Sequence, residues 1–314
     1  MLRYDALANL TAIAAIGPWD RPYQAITIDS GRRWSACFHV GRGLPARATA
    51  EVRVQLQPRG DAAAQLFPGM AFELRDDGHA VAHGRITHCW FGCAEGFGVR
   101  TLTRAPFLTE ALPLLRQVFR VSDEPFEGNL EGAIAAPFEA GIAERGVLAT
   151  ALWCFPSDQC QALVNAAAAI GDTGLYHWVH EAGISEESLD IDLVCYFPLG
   201  TAAEREEFLL FYDVNEPLIG STLFSATGRW GAIAYGGADH AVLGGPTGFV
   251  TTVYDALGTN AEEQALKFLA GYESSYWVRD HSRCPWVPEL LTHLYGEAAA
   301  RHFVAIAEGR EPPR

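Results

Sequence analysis

The strongest constraint on the fold is a period of two in the apolar residues of the first hundred positions. In WSACFHV (34–40) and in EVRVQLQ (51–57), every second residue is apolar. This alternation is typical of strands that place one face on a core. Because the segments are short and carry no helical periodicity, they predict a small antiparallel β-barrel at residues 21–105, after an N-terminal segment at 1–20.

The dipeptide Asp77-Gly78 predicts a tight hairpin within this region. A two-residue type I′ turn needs positive φ at both central positions, which Asp-Gly tolerates. With these residues as the turn, Leu74 is expected opposite Val81, and Phe72 opposite His83.

The hairpin resembles the closing hairpin of the third domain of translation elongation factor Tu. The shared pattern is carried by Phe72, Leu74, Arg75, Asp77, Gly78, Val81, Ala82, Gly84 and Ile86, with further similarity at Phe67–Gly69 and Gly31–Arg33. The resemblance covers about residues 20–90 and implies a barrel that docks on another molecule. It does not imply GTP hydrolysis, because the chain contains no GxxxxGK[ST] motif.

Charge divides the chain near the end of the expected barrel. The net charge is −15, and residues 1–105 carry 12 basic and 9 acidic residues, against 11 basic and 29 acidic residues at 106–314. The two parts therefore have net charges of +3 and −18. An acidic surface disfavours nucleic acid as a partner of the second part, and it would speed association with a basic protein. The alternative is that the excess of acidic residues serves only to keep the protein in solution.

The sequence predicts that residues 146–314 form an acidic α+β domain with a helical C-terminus. A helical linker region at 106–145 is expected to join this domain to the barrel, with a kink or break at Pro113. PSDQCQALVNAAAAIGD predicts a helix with Ser157 as N-cap and a stop at Gly171. EEFLLFYDV is compatible with a strand or with the end of a helix. Near the C-terminus, apolar residues recur at helical spacing in two separate groups, and each group predicts a helix with one apolar face.

The stretch GRWGAIAYGGADHAVLGG (228–245) has the sequence of a strand, a turn and a strand, followed by a helix that ends at Gly258. A strand–Gly–Gly–helix junction is also able to bind an anion on free N–H groups. The GxGxxG fingerprint is missing and Pro246 removes one donor, so a packed hairpin is favoured.

This second part resembles bacterial immunity proteins of polymorphic-toxin systems over about 40 residues. The resemblance is carried by Trp230-Gly231, by the turn His240–Gly245 and by Phe249 at the start of the next helix. It implies an acidic surface that neutralises a basic toxin.

Metal sites are possible at two places but are not favoured. Five potential ligands lie within fifteen residues of the barrel: His79, His83, His88, Cys89 and Cys93. His79 and His83 lie four residues apart on one strand, which is too far for one ion without a bulge. His177 and His180, with Glu181, would share a face on a helix, but Gly174 and Gly183 leave a helix little room.

No motif of a catalytic site is present: GxSxG and HExxH are both missing. Asp190 and Asp192 share one face of a strand, Asp239 adjoins His240, and His281 precedes Cys284 by three residues. The seven cysteines have irregular spacing without CxxC, which favours free thiols in a reducing compartment. No signal-peptide pattern is recognised at the N-terminus, so a cytoplasmic location is expected.

Two functional hypotheses follow. The preferred one is a non-enzymatic cytoplasmic protein without a cofactor, which binds a basic protein, possibly a toxin, and neither nucleic acid nor membrane. Its partner-binding residues are expected to be Asp190, Asp192, Trp230, Asp239 and His240. The alternative is a metal-dependent or Cys/His hydrolase that gathers three or more dispersed groups around a pocket: His177, His180, Asp190, Asp192, Asp239, His240, His281 and Cys284.

Overall fold

A computed structural model describes most of the chain. The described residues are 6–16, 23–28, 30–31, 33–40, 43–56, 66, 68–89, 100–102, 104–120, 135–150, 154–179, 193–215, 220–234, 240–271 and 274–312. The chain forms two compact units, one of Leu2–Arg100 and one of Thr101–Arg314 together with Met1. Helices and strands are both present, and one sheet is a closed antiparallel barrel, which confirms the α+β class and the small barrel.

The barrel belongs to the first unit. Its strands are β1 (Ala6–Ala12), β2 (Tyr23–Thr27), β3 (Arg33–His39), β4 (Thr49–Leu56), β5 (Ala71–Asp76) and β6 (His79–Cys89), and they close in the order β1-β4-β3-β2-β5-β6. β1 pairs with β4 on one side and β6 on the other, so the wall begins well before residue 21. The alternating burial of ALANLTA explains its place there, because Ala8, Leu10 and Ala12 face the core.

The predicted hairpin is present, with φ of 46° at Asp77 and 82° at Gly78. Its register follows the prediction next to the turn and then shifts by one residue. Leu74 pairs with Ala82 rather than Val81, and Phe72 with Gly84 rather than His83. A β-bulge causes the shift. At Gly84 an added Cβ would overlap the buried ring of Phe72, so the ring needs a glycine opposite it.

The second unit contains a twisted sheet in the order β7-β10-β9-β11-β12-β13-β8. The strands are β7 (Arg100–Leu102), β8 (Glu144–Ala149), β9 (Gly174–Val179), β10 (Leu193–Pro198), β11 (Ser221–Ser225), β12 (Gly231–Ala234) and β13 (His240–Gly245). All pairs from β10 to β8 are antiparallel. The pairing of β12 with β13 confirms the packed hairpin predicted for the glycine-rich stretch.

Helices cover both faces of this sheet. They are α1 (Leu112–Val118), α2 (Ser157–Ala169), α3 (Ala202–Asn215), α4 (Phe249–Ala256), α5 (Ala261–Ala270), α6 (Ser274–Arg279), α7 (Trp286–Tyr295) and α8 (Glu297–Ala307). EEFLLFYDV is therefore helical, in α3. Residues from α1, α5, α7 and α8 share one core with Trp178 and Val242 of the sheet. The opposite face meets α3 at His177 and α4 at Gly146.

Two sequence-based expectations change at the helices. Pro156, not Ser157, is the N-cap of α2, while Gly171 ends the helix as expected, with φ of 73°. The described part of the 106–145 segment is core rather than linker, because Leu115 and Val118 are fully buried. A π-helical turn at Phe107–Ala111 leads into α1, directly before Pro113. Proline lacks the N–H of a regular helix, which accounts for irregular winding at this point.

Among the helices that the structure describes, none combines the length and the apolar character needed to cross a bilayer.

Candidate functional site

Three of the five expected partner-binding residues, Asp190, Asp192 and Asp239, lie outside the described residues, as do His180 and Glu181. The other two, Trp230 and His240, have side chains that are 0% exposed. A fully buried side chain offers no surface to a partner, so the structure corrects the assignment of these two residues.

Trp230 belongs to a buried hydrogen-bond network around Asp172. The indole Nε1 donates to Oδ2 of Asp172 at 2.8 Å, and the ring stacks on Phe249 with centroids 5.1 Å apart. Ser225 donates its hydroxyl to the same carboxylate, and the backbone N–H of Thr173 donates to Oδ1 at 3.0 Å. Asp172 is 3% exposed, and these donors satisfy its carboxylate oxygens inside the protein.

His177 and His240 lie on opposite faces of the sheet. On one face of the sheet, His177 pairs with Leu223. On the other face lie His240 and Val242, two residues further along the same strand, and Val242 pairs with Ile233. The ring of His240 packs against Phe268 and Trp286 at centroid distances of 4.8 and 5.4 Å, on the face covered by α5 and α7. His177 contacts α3 on the other face. The two histidines therefore cannot share one catalytic site.

Within the described ranges, His177 and Ser221 resemble a nucleophile and its base, with Nε2 2.9 Å from Oγ. Ser221 is 0% exposed, and Tyr212 of α3 hydrogen-bonds to it. Burial raises the pKa of Tyr212 well above its ordinary value, and it does the same to the pKa of the neighbouring Cys160 thiol. Both side chains are buried, so the pair lies in the core and not on a surface that faces solvent.

The remaining catalytic and metal candidates are also separated. His281 lies at the surface, where Nε2 is 2.8 Å from Oε1 of Glu308 and the ring stacks on Trp277. His79 and His83 are exposed on β6, whereas Cys89 is buried. Cys93 lies outside the described residues. Across the described ranges, no group of three or more His, Cys, Asp or Glu side chains is arranged to bind a metal ion.

The surface of the second unit instead has two neighbouring concavities, on either side of Asn260 and Ala261 at the start of α5. The first, which we call the β8 groove, has a volume of about 430 Å³ and lies between β8, α4 and α7. The second, the α8 groove, lies between α5 and α8. Asn260 is the N-cap of α5, since its Oδ1 accepts from the N–H of Glu263 at 3.0 Å.

Glu144 forms one wall of the β8 groove. Its carboxylate accepts from the backbone N–H groups of Gly248, Val250 and Thr251 at 2.7, 3.0 and 3.3 Å. These are donors that the first turn of α4 leaves without an intrahelical partner, and a negative charge there also complements the helix dipole. The anion site considered for the glycine-rich junction is thus occupied by the chain's own carboxylate.

Two phenols form the floor of the β8 groove. The hydroxyls of Tyr254 and Tyr295 lie 3.2 Å apart, and both bond to the main chain of Val147. Burial raises the pKa of Tyr295 to about 12 and that of Tyr254 well above its ordinary value. Both phenols are therefore neutral donors and acceptors at physiological pH.

Arg145 lines the groove but directs its guanidinium elsewhere. Nη1 donates to the carbonyl of His293 at 3.1 Å, and Nη2 donates to the carbonyl of Glu139 at 3.0 Å. Burial, followed by repulsion from Arg145 and Arg120, lowers the pKa of His293 to about 4. The His293 ring is neutral at pH 7, and its Nε2 accepts from the N–H of Phe138 at 3.1 Å.

Carboxylates border both grooves. Asp255 is exposed and lines the β8 groove, and Glu262 lines the α8 groove. His302 lies between two carboxylates, with Nε2 3.5 Å from Glu262 and Nδ1 2.7 Å from Glu311. Sequence reasoning missed this surface. The signal that was available is the acidic start of α5, in which Asn260 is followed closely by Glu262 and Glu263.

A scan against protein-family models gives no match, and a search of the curated proteins finds no sequence similar to this chain.

Proposed function

We propose that this protein is a non-enzymatic, cytoplasmic binding protein whose acidic second unit caps a basic protein, such as a toxin. The observation that carries the proposal is the distribution of charge. Residues 101–314 contain 29 acidic and 12 basic residues, a net charge of −17, against +2 for residues 2–100. A surface of this kind attracts a basic partner and accelerates its association.

The placement of the carboxylates supports this proposal. Among the described residues, Asp172 and Glu207 are the acidic side chains that are buried, so the other described carboxylates reach solvent. Two grooves with carboxylates at their borders give the acidic surface a shape that a partner is able to recognise. The resemblances noted above fit the same proposal: a barrel that docks on another molecule, and an immunity-type domain.

The hydrolase alternative has less support. It needs several dispersed groups in one pocket, but His177 and His240 lie on opposite faces of the sheet. His281 is engaged by Glu308 at the surface.

Capture of partners from a lysate of the native host tests the proposal. The immobilised full chain is exposed to lysate at about 50 mM salt and washed at about 300 mM, because surface electrostatics weaken over this range. We expect one basic protein to be retained at low salt and released by the wash. Absence of any retained protein, together with a metal ion in the purified chain, would reverse the ranking of the two hypotheses.

A further inference from the structure

The outer edge of β8 directs main-chain groups away from the sheet. β8 is the last strand of its sheet, and its inner edge pairs with β13. Because main-chain groups alternate in an antiparallel ladder, every second residue of an edge strand directs its N–H and C=O away from the sheet. Val147 and Ala149 are two such residues, since their main-chain groups bond to side chains outside the ladder.

Side chains take the place of a neighbouring strand at both positions. At Val147 the N–H donates to the hydroxyl of Tyr295 and the carbonyl accepts from Tyr254, both at 3.0 Å. At Ala149 the N–H donates to Oε1 of Gln264 at 3.0 Å and the carbonyl accepts from Nε2 of Gln159 at 2.9 Å. Covering of this kind is a common protection of exposed strand edges.

Arg145 is the next residue in this outward series. By the same alternation its N–H and C=O face outward, and among the described side chains none bonds to them. The β8 groove lies along this part of the strand, lined by Ala143, Glu144 and Arg145 on one side and by Thr251 and Asp255 of α4 on the other. The side chains that cover the outer edge of β8 therefore end at Val147, and the β8 groove begins next to it.

We propose that the β8 groove binds an extended segment of a basic partner protein, which pairs with the main chain of Arg145 as a short added strand. This inference rests on the proposed function and names the site and the binding mode. A volume of about 430 Å³ is within the range of binding pockets, about 300–1,000 Å³. Main-chain bonds supply affinity in strand addition, and side-chain pockets supply specificity.

Charge determines the chemistry of the segment. Glu144 is neutralised in part by three N–H groups of α4, and the guanidinium of Arg145 is bonded to carbonyls. Asp255 is the exposed carboxylate of the groove, and Glu262 follows in the adjoining α8 groove. A lysine or arginine in the added segment is able to reach either carboxylate.

The test uses the full chain and a synthetic probe, acetyl-(Lys-Val)₄-amide, with a version N-methylated on alternate residues and an acetyl-(Glu-Val)₄-amide as controls. Amide hydrogen exchange of Arg145 is the readout, since a bonded amide exchanges more slowly. We expect the lysine probe to slow exchange at Arg145 about tenfold at saturation. Neither control probe should do so.

A matched pair of variants locates the binding. Thr251→Trp fills the β8 groove without a change of charge, whereas Thr292→Trp places the same side chain on the exposed surface of α7. Protection of Arg145 should be lost in Thr251→Trp and kept in Thr292→Trp, with similar thermal unfolding of both. Binding of the probe without protection of Arg145, or no binding of the probe, overturns the inference. Salt-dependent capture of a basic protein by both variants would still support the proposed function.

Discussion

Asp172 shows at the scale of one residue how a charge is kept in the interior of the second unit. Its carboxylate collects the indole N–H of Trp230, the hydroxyl of Ser225 and the backbone N–H of Thr173. The network connects the start of β9 with the end of β11 and the start of β12. A buried charge without such donors would be costly, so Asp172 and its partners act as one unit.

Replacement of Asp172 by alanine is therefore expected to destabilise the protein by about 2–4 kcal/mol, because the buried indole N–H of Trp230 and the backbone N–H of Thr173 lose their acceptor. Asp213→Ala is the matched control, because this aspartate is exposed on α3 and its loss should cost about 0.5 kcal/mol or less. Urea unfolding of the two variants measures the difference. Equal losses would show that the Asp172 network does not stabilise the fold.

Gly84 is a second single residue whose replacement is expected to change stability. A Cβ at this position would overlap the buried ring of Phe72, so Gly84→Ala should destabilise the barrel by about 1–3 kcal/mol through overpacking. Gly141→Ala is the control, because a Cβ there meets nothing within 4 Å. Thermal unfolding compares the two variants. A neutral Gly84→Ala would contradict the bulged register of the hairpin.

The low pKa of His293 predicts a pH dependence of stability. The ring has a pKa of about 4 in the folded protein and about 6.5 when unfolded, so folding favours the neutral form. The contribution is fully present above pH 6.5 and is lost as the pH falls toward 4. Because the ring is partly solvated, the loss should be of order 1–2 kcal/mol. His293→Gln keeps an acceptor for Phe138, and its unfolding midpoint should change less between pH 7 and pH 4.5 than that of the wild type.

At the scale of elements, the outer edge of β8 is held by side chains that come from helices on both faces of the sheet. Gln159 lies on α2 and Gln264 on α5, and the two amides bond to the same residue, Ala149. The edge is thereby fixed between its two helical layers. Among the described side chains, none bonds to the outward main-chain groups of Arg145, where the strand borders the β8 groove.

Gln264→Met tests the contribution of this arrangement to stability. It should cost about 1–3 kcal/mol, because the N–H of Ala149 loses its acceptor. Gln161→Met is the matched control on the exposed side of α2, where Gln161 bonds only to Asn165 and the cost should be near zero. Chemical unfolding with hydrogen exchange at Ala149 gives the comparison. An unchanged exchange rate in Gln264→Met would show that the amide does not hold the edge.

The elements also show what the sequence is able to predict. Period-two alternation predicted the barrel, and Gly171 and Gly258 marked helix ends, because these are local properties of the backbone. The register shift in the β5–β6 hairpin was not predictable, because the Asp77-Gly78 turn specifies only the pairs next to it. Trp230 was assigned to the partner-binding surface because it belongs to the stretch that resembles immunity proteins. Only its tertiary partner, Asp172, places it inside.

At the scale of the whole molecule, the charge of each unit was available from the sequence, but the position of the grooves was not. Glu144 forms hydrogen bonds with the start of α4, which lies about a hundred residues later in the chain. No local sequence pattern predicts that contact. If the proposed function holds, carboxylates of the second unit, and not those of the barrel, bind the basic partner. Two variants with the same kinds of substitution separate these possibilities.

The direct measurement is the affinity of the captured partner for two triple variants of the full chain. The first variant removes negative charges around the grooves of the second unit by Asp255→Asn, Glu262→Gln and Glu297→Gln. The second variant removes the same number of negative charges from the barrel by Asp77→Asn, Glu51→Gln and Glu73→Gln. Calorimetry at about 50 mM salt should show affinity reduced about tenfold or more by the first set and nearly unchanged by the second. Equal affinities for the two variants, or a greater loss with the barrel set, would contradict the account.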